Sequence, residues 1–311
     1  MAVKRLCILL SASIAFCSPS LAQTDVDDEI VVTGMPYEER LEAAVQYVKS
    51  AGVARAHRQA ARWEEPVCVE AMGLGDEHND LVETWAREAG IRADVPLADK
   101  SCEPNVVVMF AENGVDLLNK IRRKAPRQFA KMRRAVRERM MNEPAPVRSW
   151  YQSELRGRHG ERMFYAQPLF ASPGEGSLAG VSTPIPYGDS PDSGFMMGMS
   201  TSRLGADTQR ALRSAAIVID VNEAHGKPLV SVARYAAFLA FAEMHPQEGP
   251  HPHSILGLFD EQVAPDDTMT QWTDMDLMFM KELYSMPLAK KARQQRRMLA
   301  NAMMGDLEPE D

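Results

Sequence analysis

Ser214-Ala-Ala-Ile-Val-Ile-Asp220, a turn, and then Leu229-Val-Ser-Val-Ala-Arg-Tyr-Ala-Ala-Phe-Leu-Ala-Phe-Ala-Glu-Met244 is the stretch from which the fold is read. Ile217-Val-Ile219 is a short apolar run closed by Asp220, the pattern of a buried strand. Pro228 suits the first position of a helix, because its fixed φ is helical and its missing N–H would be unpaired there anyway. The segment that follows is apolar on nearly every face, with Val230, Val232, Ala236, Phe238, Leu239 and Phe241 leaving no polar stripe. A helix of that kind is buried on all sides. Arg234 is the exception within it, expected either to snorkel to the edge or to pair with an acid. A His/Pro loop (245–253), the short apolar piece Ser254-Ile-Leu-Gly-Leu-Phe259 and a closing helix over Thr270–Tyr284 complete the unit.

Working outward, Pro36 opens a helix with Glu38 and Glu39 in its first turn and a stripe of Leu41, Ala44, Val45 and Val48, expected to run toward Arg62. Val67-Cys-Val69 reads as a strand. Asp76 is the expected cap of a second helix whose face is Leu81, Val82, Trp85 and Ala89. Asn105-Val-Val-Val-Met-Phe110 is a continuous apolar run between turn signals, so it reads as a central strand. Strand–helix–strand order then predicts a parallel pair that brings Cys68 and Cys102 near adjacent strands. Val147–Leu155 and Arg162–Ala166 read as a hairpin, and residues 171–194 as a long Gly/Pro/Ser loop. Leu288–Met304 is a basic C-terminal helix before an acidic tail at 305–311. The expected class is α/β (α+β), a mixed sheet flanked by helices in one globular domain over 36–304. Its halves are 36–170 and 195–304.

The first residues bear on location. Lys4-Arg5, the apolar run Leu6–Phe16 and Ser20-Leu-Ala22 have the layout of a secretory signal peptide cleaved between Ala22 and Gln23. Cys17 raises a lipoprotein alternative, but Phe16 is too bulky for the position before a lipidated cysteine. Residues 23–35 read as a flexible acidic tail. Leu229–Met244 is too short for a membrane span and contains Arg234. An exported chain keeps Cys68 and Cys102, and an even count in an oxidising compartment favours one disulfide over the rival reading of two unpaired core thiols. Net charge is −8, moving to −10 once Lys4 and Arg5 are removed. Between Lys120 and Arg139 there are ten Lys/Arg against Glu138 alone. Arg127, Lys131, Arg133, Arg134 and Arg137 are therefore candidates for binding anions, with a solvated helix whose charges pair with the acidic body as the alternative. An acidic exported protein is not expected to bind nucleic acid.

The pieces Ser254-Ile-Leu-Gly-Leu-Phe259, Thr273, Asp276 and Leu283-Tyr284 resemble the S-I-[LF]-x-x-F and T-x-x-D…L-Y motifs of a family of uncharacterised secreted bacterial (alphaproteobacterial-type) proteins with a zincin-like C-terminal half. The resemblance covers about the last third of the chain. A zincin would place H-E-x-x-H on the buried helix, two His on one face with Glu as general base. This chain reads Val232-Ala-Arg-Tyr-Ala-Ala-Phe-Leu-Ala-Phe-Ala242 there, so the resemblance implies a protease-like scaffold without its metal motif.

The remaining chemistry is thin. His245, His251 and His253 supply three imidazoles, which with Glu243 as base would make a zinc-dependent hydrolase. Met196, Met197 and Met199 read as core strand rather than a copper site. No nucleophile elbow or phosphate loop occurs. Asp276, three residues after Thr273, fits a capping box. The expectation is an exported, non-catalytic scaffold, without cofactor, that binds a peptide, glycan or protein partner of the cell envelope. The alternatives are the His-loop hydrolase and a structural envelope protein that docks through the basic segment.

Overall fold

The computed structural model describes residues 37–99, 101–130, 132–162, 206–246, 251, 254–260 and 271–305. The signal cleavage site at Ala22 and Gln23, the tail at 23–35, the 171–194 loop, the methionines at 196–199, Lys131, His253 and the tail beyond 305 lie outside them.

A five-stranded mixed sheet is built on β5 (Thr208–Asp220). On one edge β5 pairs antiparallel with β4 (Val147–Gly157) over nearly its whole length. Its other edge is shared: β1 (Ala61–Arg62) lies parallel to Arg210 and Ala211, and β3 (Val106–Ala111) runs parallel to Ala215–Asp220. β2 (Val69–Met72) lies parallel outside β3. The register of β4 slips between Gln152 and Ser153. Such a bulge bends and twists a strand, here within the pair that must span both halves of the sheet.

The parallel pair expected of the strand–helix–strand order is β2–β3, joined by α2 (Asp76–Arg92). A disulfide joins Cys68 to Cys102 with Cα atoms 6.0 Å apart. Some expectations are corrected. β5 begins at Thr208 rather than 217: Gln209 and Arg210 are buried in the strand, and the Arg210 side chain has partners despite its charge. β4 pairs with β5, and the second strand of the expected hairpin, 162–166, lies outside the described residues beyond Arg162, which forms an antiparallel bridge with Arg156. The first helix, α1 (Tyr37–Ala51), stops short of Arg62 because Gly52 turns left-handed (φ 70°). Its Cα lies so close to the next segment that a Cβ would sit 1.8 Å from the His245 carbonyl oxygen.

Alternation along the strands assigns the two sheet faces. Val106, Val108, Phe110, Ile217 and Ile219 point into the main core, which is closed by α1, α2, α5 (Leu229–Ala240), α6 (Asp274–Ser285) and α7 (Ala292–Gly305). Met109 and Val218 point the other way, onto Leu118, Phe129, Met141 and Trp150. That second core lies under α3 (Gly114–Lys124), a 3₁₀ turn (Pro126–Phe129) and α4 (Arg134–Asn142). The basic segment is thus three pieces, broken where Pro126 cannot continue the hydrogen-bond ladder. On α2 the cap is Gly75, not Asp76, and the buried face is Val82, Ala86, Ala89 and Gly90, with Leu81 exposed.

α5 is buried all round, as its sequence requires, so its last carbonyls cannot reach water. Aromatic donors take their place. Tyr151 Oη donates to the carbonyl of Leu239 (3.0 Å), Trp63 Nε1 to Ala240 (2.8 Å) and Tyr284 Oη to Phe241 (2.6 Å). Each side chain packs its ring in the core and delivers one polar atom where the helix needs it. Among the described residues no helix is long and apolar enough to cross a membrane.

Candidate functional site

Three residues after α5, the backbone N–H of Glu243 donates to the carbonyl of Ala61 (3.0 Å), which fixes Glu243 beside β1. Its carboxylate is almost fully buried. Oε1 lies 3.0 Å from Arg58 Nη2 and 3.4 Å from His245 Nε2, and Oε2 lies 2.6 Å from Arg210 Nη2. The Oε2 contact is an ion pair without the alignment of a hydrogen bond. Arg210 is held in place by donating Nη1 to the Gln59 carbonyl (3.0 Å) and Nη2 to Ser153 Oγ. Burial alone would raise the pKa of Glu243, but the His245 hydrogen bond, Arg210 and Arg58 outweigh it and hold the carboxyl down at about 2. An acid so strongly ionised is a counter-ion. It is a poor general base, which works best with a pKa near the operating pH.

The wall opposite Glu243 is the loop after α1. Ala54 (φ 51°) and Ala56 (φ 50°) are left-handed along with Gly52. Each such alanine costs about 1–2 kcal/mol, and Arg296 of α7 stabilises the arrangement by donating Nη1 to the carbonyls of both. The loop, Arg210, Glu243 and His245 line a small pocket open to solvent, with room for about a water or two and too little to engulf a small molecule.

A second polar cluster joins α1, the 3₁₀ turn at Ile255–Phe259 and α6. Asp276, fully buried, accepts from Tyr47 Oη, Ser254 Oγ (2.6 Å), Ile255 N (2.7 Å) and Thr273 N (2.9 Å). Asp276 N donates back to Thr273 Oγ1 (3.1 Å), so the capping box expected from Thr273 and Asp276 is formed. Burial raises the pKa of Asp276, with its four donors opposing. Tyr47 is raised well above its ordinary value by burial and by the Asp276 charge. Serine, tyrosine and aspartate here are sealed from solvent and spent on tying three elements together.

Open α/β sheets bind ligands at the carboxyl ends of their parallel strands, here beside Ala111 and Asp220. That position is filled. Asp220 accepts from Gly114 N at the start of α3 (2.8 Å) and lies 3.8 Å from Arg148, whose guanidinium also donates to the carbonyls of Met140, Glu143 and Ala145.

Of the candidate ligands, Glu243 and His245 come together. His251 is buried and its backbone N–H donates to Asp260 Oδ2 (2.8 Å). No group of three His, Cys, Asp or Glu able to hold a metal forms among the described residues. Arg234 comes within 3.9 Å of Glu88. On the other sheet face Arg127, Arg133 and Arg134 are exposed and Arg137 is half-buried; Arg134 pairs with Glu138 (2.7 Å). Sequence reasoning missed Arg58, Arg210, Tyr47 and Ser254. Only the polarity of Arg210 at the head of a strand hinted at a buried ion pair. No protein-family model, curated protein or solved structure matches the chain.

Proposed function

We propose that this is an exported, non-catalytic protein of the cell envelope that docks on an anionic lipid surface through the face formed by α3, the 3₁₀ turn and α4. One observation carries the reading. Lys120, Arg122, Arg123, Lys124, Arg127 and Arg133 are all exposed and have no acidic partner among the described residues, although the chain as a whole is acidic. Six cations along consecutive elements suit a multivalent anionic surface, to which each contributes about 1 kcal/mol at low salt. The exposed Val136 between Arg133 and Arg137 adds an apolar contact of the kind interfacial helices use. Export is supported by the signal-peptide pattern of residues 1–22. The absence of catalysis is supported by the apolar residues at the zincin metal positions of α5 and by buried acids that already have partners.

The test is co-sedimentation of the mature chain with vesicles of phosphatidylcholine alone or mixed with phosphatidylglycerol. Binding is expected only to the mixed vesicles, falling steeply as salt is added and abolished by joint Arg122→Glu, Arg123→Glu and Arg127→Glu substitution. Equal binding to neutral vesicles, or no loss in the variant, would overturn the reading. Binding to acidic polysaccharide but not to vesicles would reassign the partner.

A further inference from the structure

We propose that the cleft between the loop after α1 and the end of α5 is a binding site for a single oxyanion, the phosphate or carboxylate group of a ligand whose remainder stays outside. It lies apart from the basic face and does not depend on it.

Charge comes first. Arg55, Arg58 and Arg210 line the cleft against one carboxylate, Glu243. Both oxygens of Glu243 are already engaged, so the excess positive charge has no internal answer. Arg210 is buried and its guanidinium is spent on Glu243, the Gln59 carbonyl and Ser153. Arg58 differs. Its side chain is 59% exposed and uses only Nη2, on Glu243. A planar guanidinium with one edge fixed by a buried acid presents its other N–H groups in a set orientation, which is what bidentate recognition of a carboxylate or phosphate needs. Arg55 carries no partner among the described residues and stands at the same opening. His245, 41% exposed and bonded to Glu243, forms a further edge. Glu243 is thus a positioning residue for the arginines, and the anion would touch Arg55 and Arg58.

Shape agrees with charge. The free space is too small for a whole ligand yet has room for one polar group in place of a water or two. The backbone of this wall holds three left-handed residues within five positions, two of them alanines, and its conformation is clamped by Arg296 from a distant helix. Strain that the surrounding structure over-determines gathers at ligand clamps. The same clamp sets the position of Arg55 between Ala54 and Ala56.

The experiment is calorimetric titration of the mature chain with sodium phosphate and, separately, sodium acetate, with chloride as counter-ion throughout. One equivalent of binding by either ion is expected, and which ion binds tells phosphate from carboxylate. Arg58→Ala should weaken it at least about ten-fold, Arg58→Lys less, since charge survives and the fork is lost. Arg55→Ala should weaken it too, while Lys281→Ala on exposed α6 surface leaves it unchanged. Arg58 is exposed, and circular dichroism of each variant separates lost binding from lost fold. No binding of either ion, or binding indifferent to Arg58→Ala in a folded variant, overturns the proposal.

Discussion

Replacing Glu243 with glutamine keeps the shape of the side chain and removes its charge. The drop in its pKa from 4.5 to about 2 corresponds to about 3 kcal/mol of stability, at about 1.4 kcal/mol per pKa unit. The sign follows from linkage: a carboxyl whose pKa is lower in the folded state stabilises above its unfolded value and loses that contribution as pH falls through the folded one. The wild type should therefore exceed Glu243→Gln by about 3 kcal/mol at pH 7. Breaking a buried pair typically costs 3–5 kcal/mol, because a desolvated cation, here Arg210, is left without its counter-charge. Arg58 contributes little to this figure, since a solvent-exposed partner is screened. Below pH 4.5 the gap should narrow, and it should close near pH 2. Urea unfolding at a series of pH values measures it, with the fluorescence of buried Trp63 and Trp272 as reporter. A gap under about 1 kcal/mol at pH 7, or one that stays constant on acidification, would refute the assignment of Glu243 as an ionised counter-ion.

Two further substitutions probe how the elements are tied. Asp276→Asn places an amide NH₂ against at least one of the N–H and O–H groups now donating to the carboxylate, and a loss of roughly 2–4 kcal/mol is expected; an unchanged thermal midpoint would show that the cluster does not hold α1, the 3₁₀ turn and α6 together. Because burial raises the pKa of Asp276, its contribution runs opposite to that of Glu243, present below 3.8 and lost as pH rises through the folded value, so the deficit of Asp276→Asn should narrow as pH rises above 3.8. Joint Cys68→Ser and Cys102→Ser substitution opens a loop spanning 34 positions and should cost about 4 kcal/mol by loop entropy; denaturant titration checks this, and a change below about 1 kcal/mol would count against it.

What the sequence made legible was local. The all-round apolar pattern of α5, the unbroken run of β3 and the Thr273–Asp276 spacing each predict their own structure, because neighbours a few positions away decide them. The length of β5 was hidden for the opposite reason. Gln209 and Arg210 look like turn residues until β1 and β4 cover both edges and Gln59, Ser153 and Glu243 neutralise the side chain. No periodicity links Arg58, Arg210 and Glu243. They meet because the β1–β5 register sets Ala61 opposite Arg210 while Glu243 bonds back to Ala61, a relation that exists only in the folded sheet. The break in the basic segment was written at Pro126, yet the repeating cations obscured it.

Asp220, Glu243 and Asp276 are all buried carboxylates near the ends of elements, but only Asp276 sits in the first turn of a helix, where unpaired N–H groups favour an acid. Asp220 and Asp276 are engaged by groups of the fold: backbone N–H groups, two buried hydroxyls and a buried arginine. Exchanging any of these for a ligand would leave a desolvated donor or charge behind. Glu243 alone among the three is paired with a cation that reaches solvent, since Arg58 is mostly exposed while Arg210 is not, and the Arg148 beside Asp220 is buried. An anion arriving at Arg58 need displace only water, because Glu243 keeps Arg210 and its own hold on Nη2. That asymmetry, one buried and one exposed guanidinium on a single acid, separates a structural ion pair that can also receive a ligand from two that can only hold the fold.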